Sequence, residues 1–143
     1  MDTFELDGRC LCGAVRIAAT AASHEVGACH CGICRRWSGG PMFAFECVGA
    51  PRIEGEAQLA VYPSSDWAER GFCKTCGTHL FYRLRDGSHY AVPVGLVDGG
   101  QPWLFDSQIF IDDKPVWYRF ANATRDLTGA EVFALYAPPG TQG

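Results

Sequence analysis

The 143-residue sequence lacks the features of membrane, nucleic-acid-binding and secreted proteins. No apolar run approaches the roughly 18 residues needed to cross a bilayer. Residues 1–7 contain neither the basic segment nor the apolar segment of a secretory leader. The formal net charge of -4 gives no basic field for a phosphate backbone or an anionic membrane. We therefore expect a cytoplasmic protein with no nucleic-acid partner and no membrane partner.

The sequence also lacks repeats, low-complexity tracts and linkers, which predicts a single domain over residues 1–143. Hydrophobic residues make up 48% of the chain, enough to build a core, while 17 glycines and 8 prolines divide it into short segments. This pattern predicts a small, mainly β protein of short antiparallel strands with a short C-terminal helix. The tail, residues 138–143, is predicted to be loose.

Partial alternation of aromatic and β-branched residues places the candidate strands. They are Phe4 to Leu6, Ala14 to Ala18, Met42 to Cys47, Leu59 to Tyr62, His79 to Leu84, Tyr90 to Val94, Gln108 to Ile111 and Val116 to Phe120. Helices are predicted over 32–38 and 128–136, the second capped by Thr128.

Cysteine is the residue that this sequence has in unusual number, with 8 in the chain. In a reducing compartment, closely spaced cysteines are metal ligands or catalytic thiols more often than disulfides. Disulfide pairing in a secreted domain is the alternative, and the missing leader argues against it.

Cys73 and Cys76 have the spacing of a zinc knuckle, with Gly77 able to close the turn in a left-handed conformation. A closed tetrahedral zinc site needs two further ligands. Cys10 and Cys12 can supply them, because residues two apart in an extended segment point the same way. These four cysteines are therefore predicted to hold a structural zinc.

Cys29, Cys31 and Cys34 form a second cluster. Three protein ligands leave one position open on zinc, which is typical of catalytic rather than structural sites. We predict that these cysteines hold a catalytic zinc, the second of two per chain and removable by mild chelation. The reverse pairing, in which the knuckle completes this central cluster, stays open on spacing alone.

Other residues near the clusters have less specific patterns. His30 lies between Cys29 and Cys31, and its side chain should point away from their sulfurs in an extended segment, so we expect a structural or proton-handling role before ligation. Arg35, followed by Arg36, is a candidate for binding an anionic substrate. Cys47 has no partner nearby in sequence and is predicted to be a core residue.

The ordered motifs of the chain resemble the glutathione-dependent formaldehyde-activating enzyme family. The matching segments are 8–15, 29–35, 64–65, 70–80, 95–98 and 110–117. The resemblance implies a zinc-stabilised β-tent fold, a structural zinc on Cys10, Cys12, Cys73 and Cys76, and a catalytic zinc on Cys29, Cys31 and Cys34.

The resemblance also implies a carbon-sulfur lyase that interconverts glutathione and formaldehyde with S-(hydroxymethyl)glutathione. Cys29, Cys31, Cys34 and His30 are then the expected catalytic residues, and Arg35 and Arg70 are expected to bind the small-molecule thiol adduct. The second hypothesis is a non-catalytic module, in which both metals only brace a surface that binds a protein partner.

Overall fold

The computed structural model describes residues 2–97 and 99–136, so the tail and Asp98 lie outside the described residues. The strands are β1 (Phe4–Arg9), β2 (Arg16–Ala21), β3 (Glu25–Cys29), β4 (Met42–Glu46), β5 (Arg52–Glu54), β6 (Leu59–Tyr62), β7 (Ala68–Cys73), β8 (His79–Leu84), β9 (Tyr90–Pro93), β10 (Leu104–Ile109) and β11 (Arg125–Leu127). The helices are α1 (Gly32–Ser38) and α2 (Gly129–Tyr136).

The described chain divides into two compact units. The first comprises residues 2–24, 44–97 and 99–102, and the second comprises residues 25–43 and 103–136. The prediction of a single domain over 1–143 stays a prediction. Among the described residues, no helix is both long and apolar enough to cross a membrane.

The first unit is built from antiparallel pairs. β1, β2 and β5 form one sheet in the order β1-β2-β5. β6 to β9 pair in sequence order, and the end of β4, from Ala44 to Glu46, pairs with β9. Alternation along β2 buries Ile17, Ala19 and Ala21 and leaves Arg16 exposed, as expected for a strand with one face on a core.

Gly71 on β7 and Phe81 on β8 make a close contact in this unit. The two residues are register partners, and a Cβ at Gly71 would overlap the Phe81 ring. Phe81 is itself 1% exposed, so its ring cannot move away from an added Cβ without displacing other core side chains.

Gly71→Ala is therefore expected to destabilise the protein by about 1–3 kcal/mol, the range for overpacked cores. Chemical denaturation measures the change. Gly95→Ala is the control, because a Cβ there meets no atom within 4 Å and should change stability little. Equal effects of the two substitutions would contradict the packing explanation.

The mainly β prediction is confirmed, but the second unit contains parallel pairs, which corrects the expectation that the strands are antiparallel throughout. β10 pairs in parallel with both β3 and β11. Parallel strands need a crossover connection, and the long chain segments that separate these strands in sequence allow one. An aromatic cluster of Phe43, Phe105 and Phe120 packs in this unit, with ring centroids 5.2–5.6 Å apart.

The strand predicted over Val116 to Phe120 is wrong. Val116 and Trp117 are two consecutive exposed residues in a turn, so the segment does not alternate between two faces. The Lys114 ammonium donates to the carbonyl oxygens of Pro115 and Tyr118 and closes this turn. The turn places the Tyr118 side chain beside the segment that follows β3.

The C-terminal helix is confirmed together with its cap. The Thr128 hydroxyl accepts from the Glu131 backbone N–H at 3.2 Å, and the Glu131 carboxylate accepts from the Thr128 N–H at 2.9 Å. This reciprocal pair is a capping box. Val132 is buried, whereas Leu135 and Tyr136 are exposed.

Candidate metal centres

The first cysteine cluster lies in the first unit and joins two distant parts of the sequence. Cys10 and Cys12 follow β1, Cys73 ends β7, and Cys76 lies in the turn before β8. The four sulfur atoms all lie within 4.8 Å of one another. The Sγ of Cys12 is 3.6 Å from that of Cys10 and 3.8 Å from that of Cys73.

Two glycine turns bring these sulfurs together. Gly13 and Gly77 both adopt left-handed backbone angles, with φ of 82° and 79°. The Gly13 N–H donates to the Cys10 carbonyl, and the Gly77 N–H donates to the Cys73 carbonyl. The conformation predicted for Gly77 is confirmed. The extended geometry predicted for Cys10 and Cys12 is wrong, because these residues lie in a turn.

Hydrogen bonds to sulfur favour the thiolate forms of Cys10 and Cys76. The Val15 N–H donates to the Cys10 Sγ at 3.3 Å, and the Cys76 Sγ lies 3.1 Å from the Thr78 hydroxyl. The Thr78 hydroxyl is the largest cause that lowers the pKa of Cys76, to about 5. A lowered thiol pKa favours the thiolate, which is the form that binds metal.

The donor set fits zinc. Zinc–sulfur bonds of about 2.3 Å in a tetrahedron require sulfur–sulfur distances of about 3.8 Å. The distances of 3.6 and 3.8 Å match this requirement. Cys10 and Cys73 are fully buried, as is expected for a closed structural site. All eight cysteines are free, so the structure contains no disulfide among them.

The second cluster lies in the second unit, where β3 meets α1. Cys29 ends β3, Cys31 precedes the helix, and Cys34 is buried in its first turn. Their three sulfurs also lie within 4.8 Å of one another. The Cys31 Sγ caps α1 by accepting from the Cys34 N–H at 3.3 Å. The short helix therefore positions two of the three thiols.

The three thiols share their protons unequally. Hydrogen bonds from Cys29 and then Cys34 lower the pKa of Cys31. The hydrogen bond with Cys31 is the largest cause that raises the pKa of Cys29. Cys31 is therefore the thiol of this cluster that ionises more readily than Cys29. Three convergent sulfurs, one of them readily ionised, fit a metal with an open fourth position.

The structure groups the cysteines as the preferred pairing predicted. The knuckle sulfurs of Cys73 and Cys76 lie with Cys10 and Cys12, and Cys29, Cys31 and Cys34 form a separate group. The reverse pairing is therefore not the one the structure shows. The metal assigned to each group stays a prediction.

His30 does not belong to the group of candidate ligands. Its residue exposure is 0%, and both ring nitrogens have hydrogen-bond partners. Nε2 is 2.8 Å from the Gln108 Oε1, and Nδ1 is 3.2 Å from the Tyr118 hydroxyl. This geometry agrees with the expectation that the ring points away from the sulfurs. A catalytic role for His30 stays a prediction.

The two predicted substrate-binding arginines lie in different units. Arg35 is on α1, where its Nε donates to the His30 carbonyl at 3.1 Å. Arg70 is on β7 and only 2% exposed, with Nε 3.3 Å from the Ser64 hydroxyl and its guanidinium 5.2 Å from the Tyr82 ring centroid. Substrate binding by either residue stays a prediction.

Cys47 is half-buried rather than enclosed in the core. Burial, together with the nearby Glu46 charge, raises the pKa of Cys47 to about 12. Its thiol is therefore protonated at neutral pH and belongs to neither cluster.

Several residues that support the two sites were not predicted from the sequence. Thr78 lies two positions after Cys76 and bonds its sulfur. A hydroxyl residue this close to a cysteine in sequence could have indicated the contact. Gln108 and Tyr118 bond the His30 ring, and Thr124 bonds Gln108, through contacts between distant positions for which the sequence offers no local signal.

Comparisons with known proteins identify relatives of this chain. The family described as glutathione-dependent formaldehyde-activating enzyme matches residues 5–113. An uncharacterized lyase of Schizosaccharomyces pombe is 40% identical over 129 residues, which cover 90% of this chain and 94% of the yeast protein. A provisionally named glutathione-dependent formaldehyde-activating enzyme of Halomonas elongata is 29% identical over 132 residues, covering 85% of this chain and 84% of that protein.

A solved structure shows a similar fold. The crystal structure of a Rhodobacter sphaeroides protein has a TM-score of 0.55 and 28% sequence identity, and the match covers 67% of this chain and 91% of that one. The family match spans well over half of the sequence and includes both cysteine clusters. The chain belongs to the glutathione-dependent formaldehyde-activating enzyme family.

Proposed function

We propose that this protein is a zinc-dependent carbon-sulfur lyase that acts on a thiol–aldehyde adduct such as S-(hydroxymethyl)glutathione. The observation that carries the proposal is the convergence of three cysteine sulfurs, with no fourth Cys, His, Asp or Glu joining the group within residues 2–97 and 99–136. Family membership and the names of the relatives support an enzyme of this class.

The proposed cleavage needs no oxidant or reductant. In the adduct, the hydroxyl proton leaves the oxygen as the carbon–oxygen double bond forms and the carbon–sulfur bond breaks. The sulfur keeps the electron pair of that bond and ends as the free thiol. Zinc held by Cys29, Cys31 and Cys34 would supply Lewis-acid stabilisation of thiolate and oxygen charge at its open position.

The residues around this site have different roles in the proposed reaction. The cysteines would hold the metal, and Cys31, whose pKa the neighbouring thiols lower, lies at the start of α1. His30 is fully buried whereas Cys29 and Cys31 are only half-buried, so a solvent molecule beside these cysteines is better placed than the imidazole to carry the proton from oxygen to sulfur.

The surface beside Cys31 favours an anionic substrate. A Cβ at Gly32 would lie 3.3 Å from the Arg36 Nη1 and 3.9 Å from the Arg35 Nη2, so both guanidinium groups approach the backbone next to this cysteine. Within the described residues, neither arginine forms a salt bridge. Glutathione carries two carboxylates, and guanidinium groups bind carboxylates well.

Arg36→Gln and Arg35→Gln are each expected to raise KM for S-(hydroxymethyl)glutathione about tenfold, because a charge-assisted hydrogen bond is lost. The formaldehyde adduct of 2-mercaptoethanol, which has no carboxylate, should be unaffected by Arg36→Gln. Arg52→Gln, an exposed arginine of β5, is the matched control. An unchanged KM for the anionic adduct in both variants would contradict a carboxylate-binding role.

The activity itself is tested by exchange NMR on mixtures of glutathione, formaldehyde and their adduct. The zinc-loaded protein should accelerate exchange between adduct and free thiol above the spontaneous rate, and protein stripped at the three-cysteine site should not. No acceleration by folded protein carrying both metals would refute the proposed function for this adduct.

A further inference from the structure

A chain of hydrogen bonds runs from the exposed Asp126 to the buried His30, the residue between Cys29 and Cys31. Thr124 Oγ1 is 2.6 Å from the Asp126 Oδ1, and the Gln108 Nε2 is 2.9 Å from Thr124 Oγ1. Gln108 Oε1 then meets the His30 Nε2 at 2.8 Å, and the His30 Nδ1 meets the Tyr118 hydroxyl at 3.2 Å. All five residues lie in the second unit.

The chemistry of the groups fixes the direction of every bond. Thr124 donates its hydroxyl hydrogen to the Asp126 side chain. Thr124 then accepts from the Gln108 amide nitrogen, which turns the Gln108 oxygen toward His30. This oxygen only accepts, so the hydrogen of the neutral imidazole lies on Nε2. Nδ1 is left as an acceptor for the Tyr118 phenol.

The backbone N–H and carbonyl of His30 are also hydrogen-bonded. Its backbone N–H donates to the Ile109 carbonyl at 3.1 Å, and its own carbonyl accepts from the Arg35 Nε at 3.1 Å. His30 and Gln108 are both buried, at 0% and 5% exposure. The buried polar groups of His30 and Gln108 all have partners, and satisfied buried polar groups specify a single arrangement. The backbone between Cys29 and Cys31 is thereby held through His30.

We propose that Asp126, Thr124, Gln108 and Tyr118 act through His30 as positioning residues that hold the three-cysteine site in its metal-binding geometry before metal arrives. The inference rests on the proposed function only in taking this cluster as a metal site. Because the ligand segment is already ordered, less conformational freedom is lost when the ion binds. His30 is then an anchor, and the proton exchanged with substrate passes elsewhere.

Thr124→Val tests the proposal, with Thr124→Ser as its matched control. Valine keeps the shape of threonine without the hydroxyl, so the Gln108 amide loses the contact that orients it and can present its nitrogen to His30. Long-range proton–nitrogen NMR should show only the Nε2–H tautomer in the wild type and in Thr124→Ser. Thr124→Val should show a mixture with the Nδ1–H form.

Metal affinity provides the second readout. Protein with zinc at the four-cysteine site and an empty three-cysteine site is titrated with Co²⁺, followed by its thiolate charge-transfer absorbance. Thr124→Val is expected to weaken Co²⁺ binding about tenfold, the lower range for loss of an outer-shell hydrogen bond. Thr124→Ser should bind like the wild type. Tyr118→Phe, which removes the bond at the opposite end, should also weaken binding while keeping the Nε2–H tautomer.

Wild-type tautomer and affinity in Thr124→Val would overturn the proposal, as would equal losses in Thr124→Val and Thr124→Ser. If Thr124→Val fails to fold, wild-type Co²⁺ affinity in Tyr118→Phe would overturn it. Neither readout uses turnover of an adduct. A protein inactive toward the adduct can therefore still satisfy this test, and an active one can still fail it.

Discussion

Replacing Cys10 with serine is expected to unfold the protein. Cys10 is fully buried, and its sulfur lies within 4.8 Å of those of Cys12, Cys73 and Cys76, so the cluster joins two segments of the first unit that are far apart in sequence. Structural zinc sites contribute about 10–16 kcal/mol in small zinc domains, comparable to or larger than the net stability of about 5–15 kcal/mol typical of folded domains. Serine is a poor zinc ligand, and removing one of four thiolates should lose most of this contribution.

Circular dichroism and NMR dispersion measure the effect, and Cys47→Ser is the control. Cys47 lies outside both clusters and is half-buried, so its replacement should change the free energy of unfolding by about 1 kcal/mol or less. A Cys10→Ser protein that stays folded with the stability of Cys47→Ser would contradict a structural zinc on the four-cysteine cluster.

Replacing Cys31 with serine is expected to leave the protein folded but to abolish its proposed activity. The three-cysteine cluster lies in a short connection between β3 and α1, and serine can keep the cap of α1 because its hydroxyl accepts from the Cys34 N–H as the sulfur does. Loss of metal stabilisation worth several kcal/mol lowers turnover about a thousandfold.

Cys31→Ala separates the two roles of this residue. It removes both the ligand and the cap, so it should be as inactive as Cys31→Ser and about 1 kcal/mol less stable. Exchange NMR with the adduct and chemical denaturation give the two readouts. If Cys31→Ser proved as unstable as Cys10→Ser, the assignment of one structural and one catalytic cluster would be wrong.

The candidate site was more predictable from the sequence than the fold. The spacing of Cys73, Cys76 and Gly77 defines a local turn, and four thiolates make a complete zinc site, so the grouping with Cys10 and Cys12 followed from ligand number. The extended geometry expected for Cys10 and Cys12 was wrong, yet the turn at Gly13 brings the same sulfurs together.

Several strands carry weak local signals. β3 has the sequence Glu-Val-Gly-Ala-Cys, and β7 contains Glu69, Arg70 and Gly71, residues with low strand propensity. These segments become strands because their neighbours pair with them. The parallel pairs of β10 likewise depend on partners distant in sequence. Pairing with these partners, rather than local strand propensity, therefore determines which segments form strands.

The opposite error occurred at Val116 to Phe120. Valine, tryptophan, tyrosine and phenylalanine favour strands, but here the Lys114 ammonium holds the backbone in a turn. That turn places Tyr118 against His30, a contact between residues far apart in the chain. A partner this distant cannot be read from a single sequence.

Metal content is the most direct measurement of the central claim that two thiolate clusters bind zinc. Fully reduced protein analysed by native mass spectrometry should contain about two zinc ions per chain, in line with one closed and one open site. Mild chelation should remove one ion and leave the circular dichroism spectrum unchanged. A single tightly held zinc, with the sulfurs of Cys29, Cys31 and Cys34 reduced and metal-free, would contradict the account.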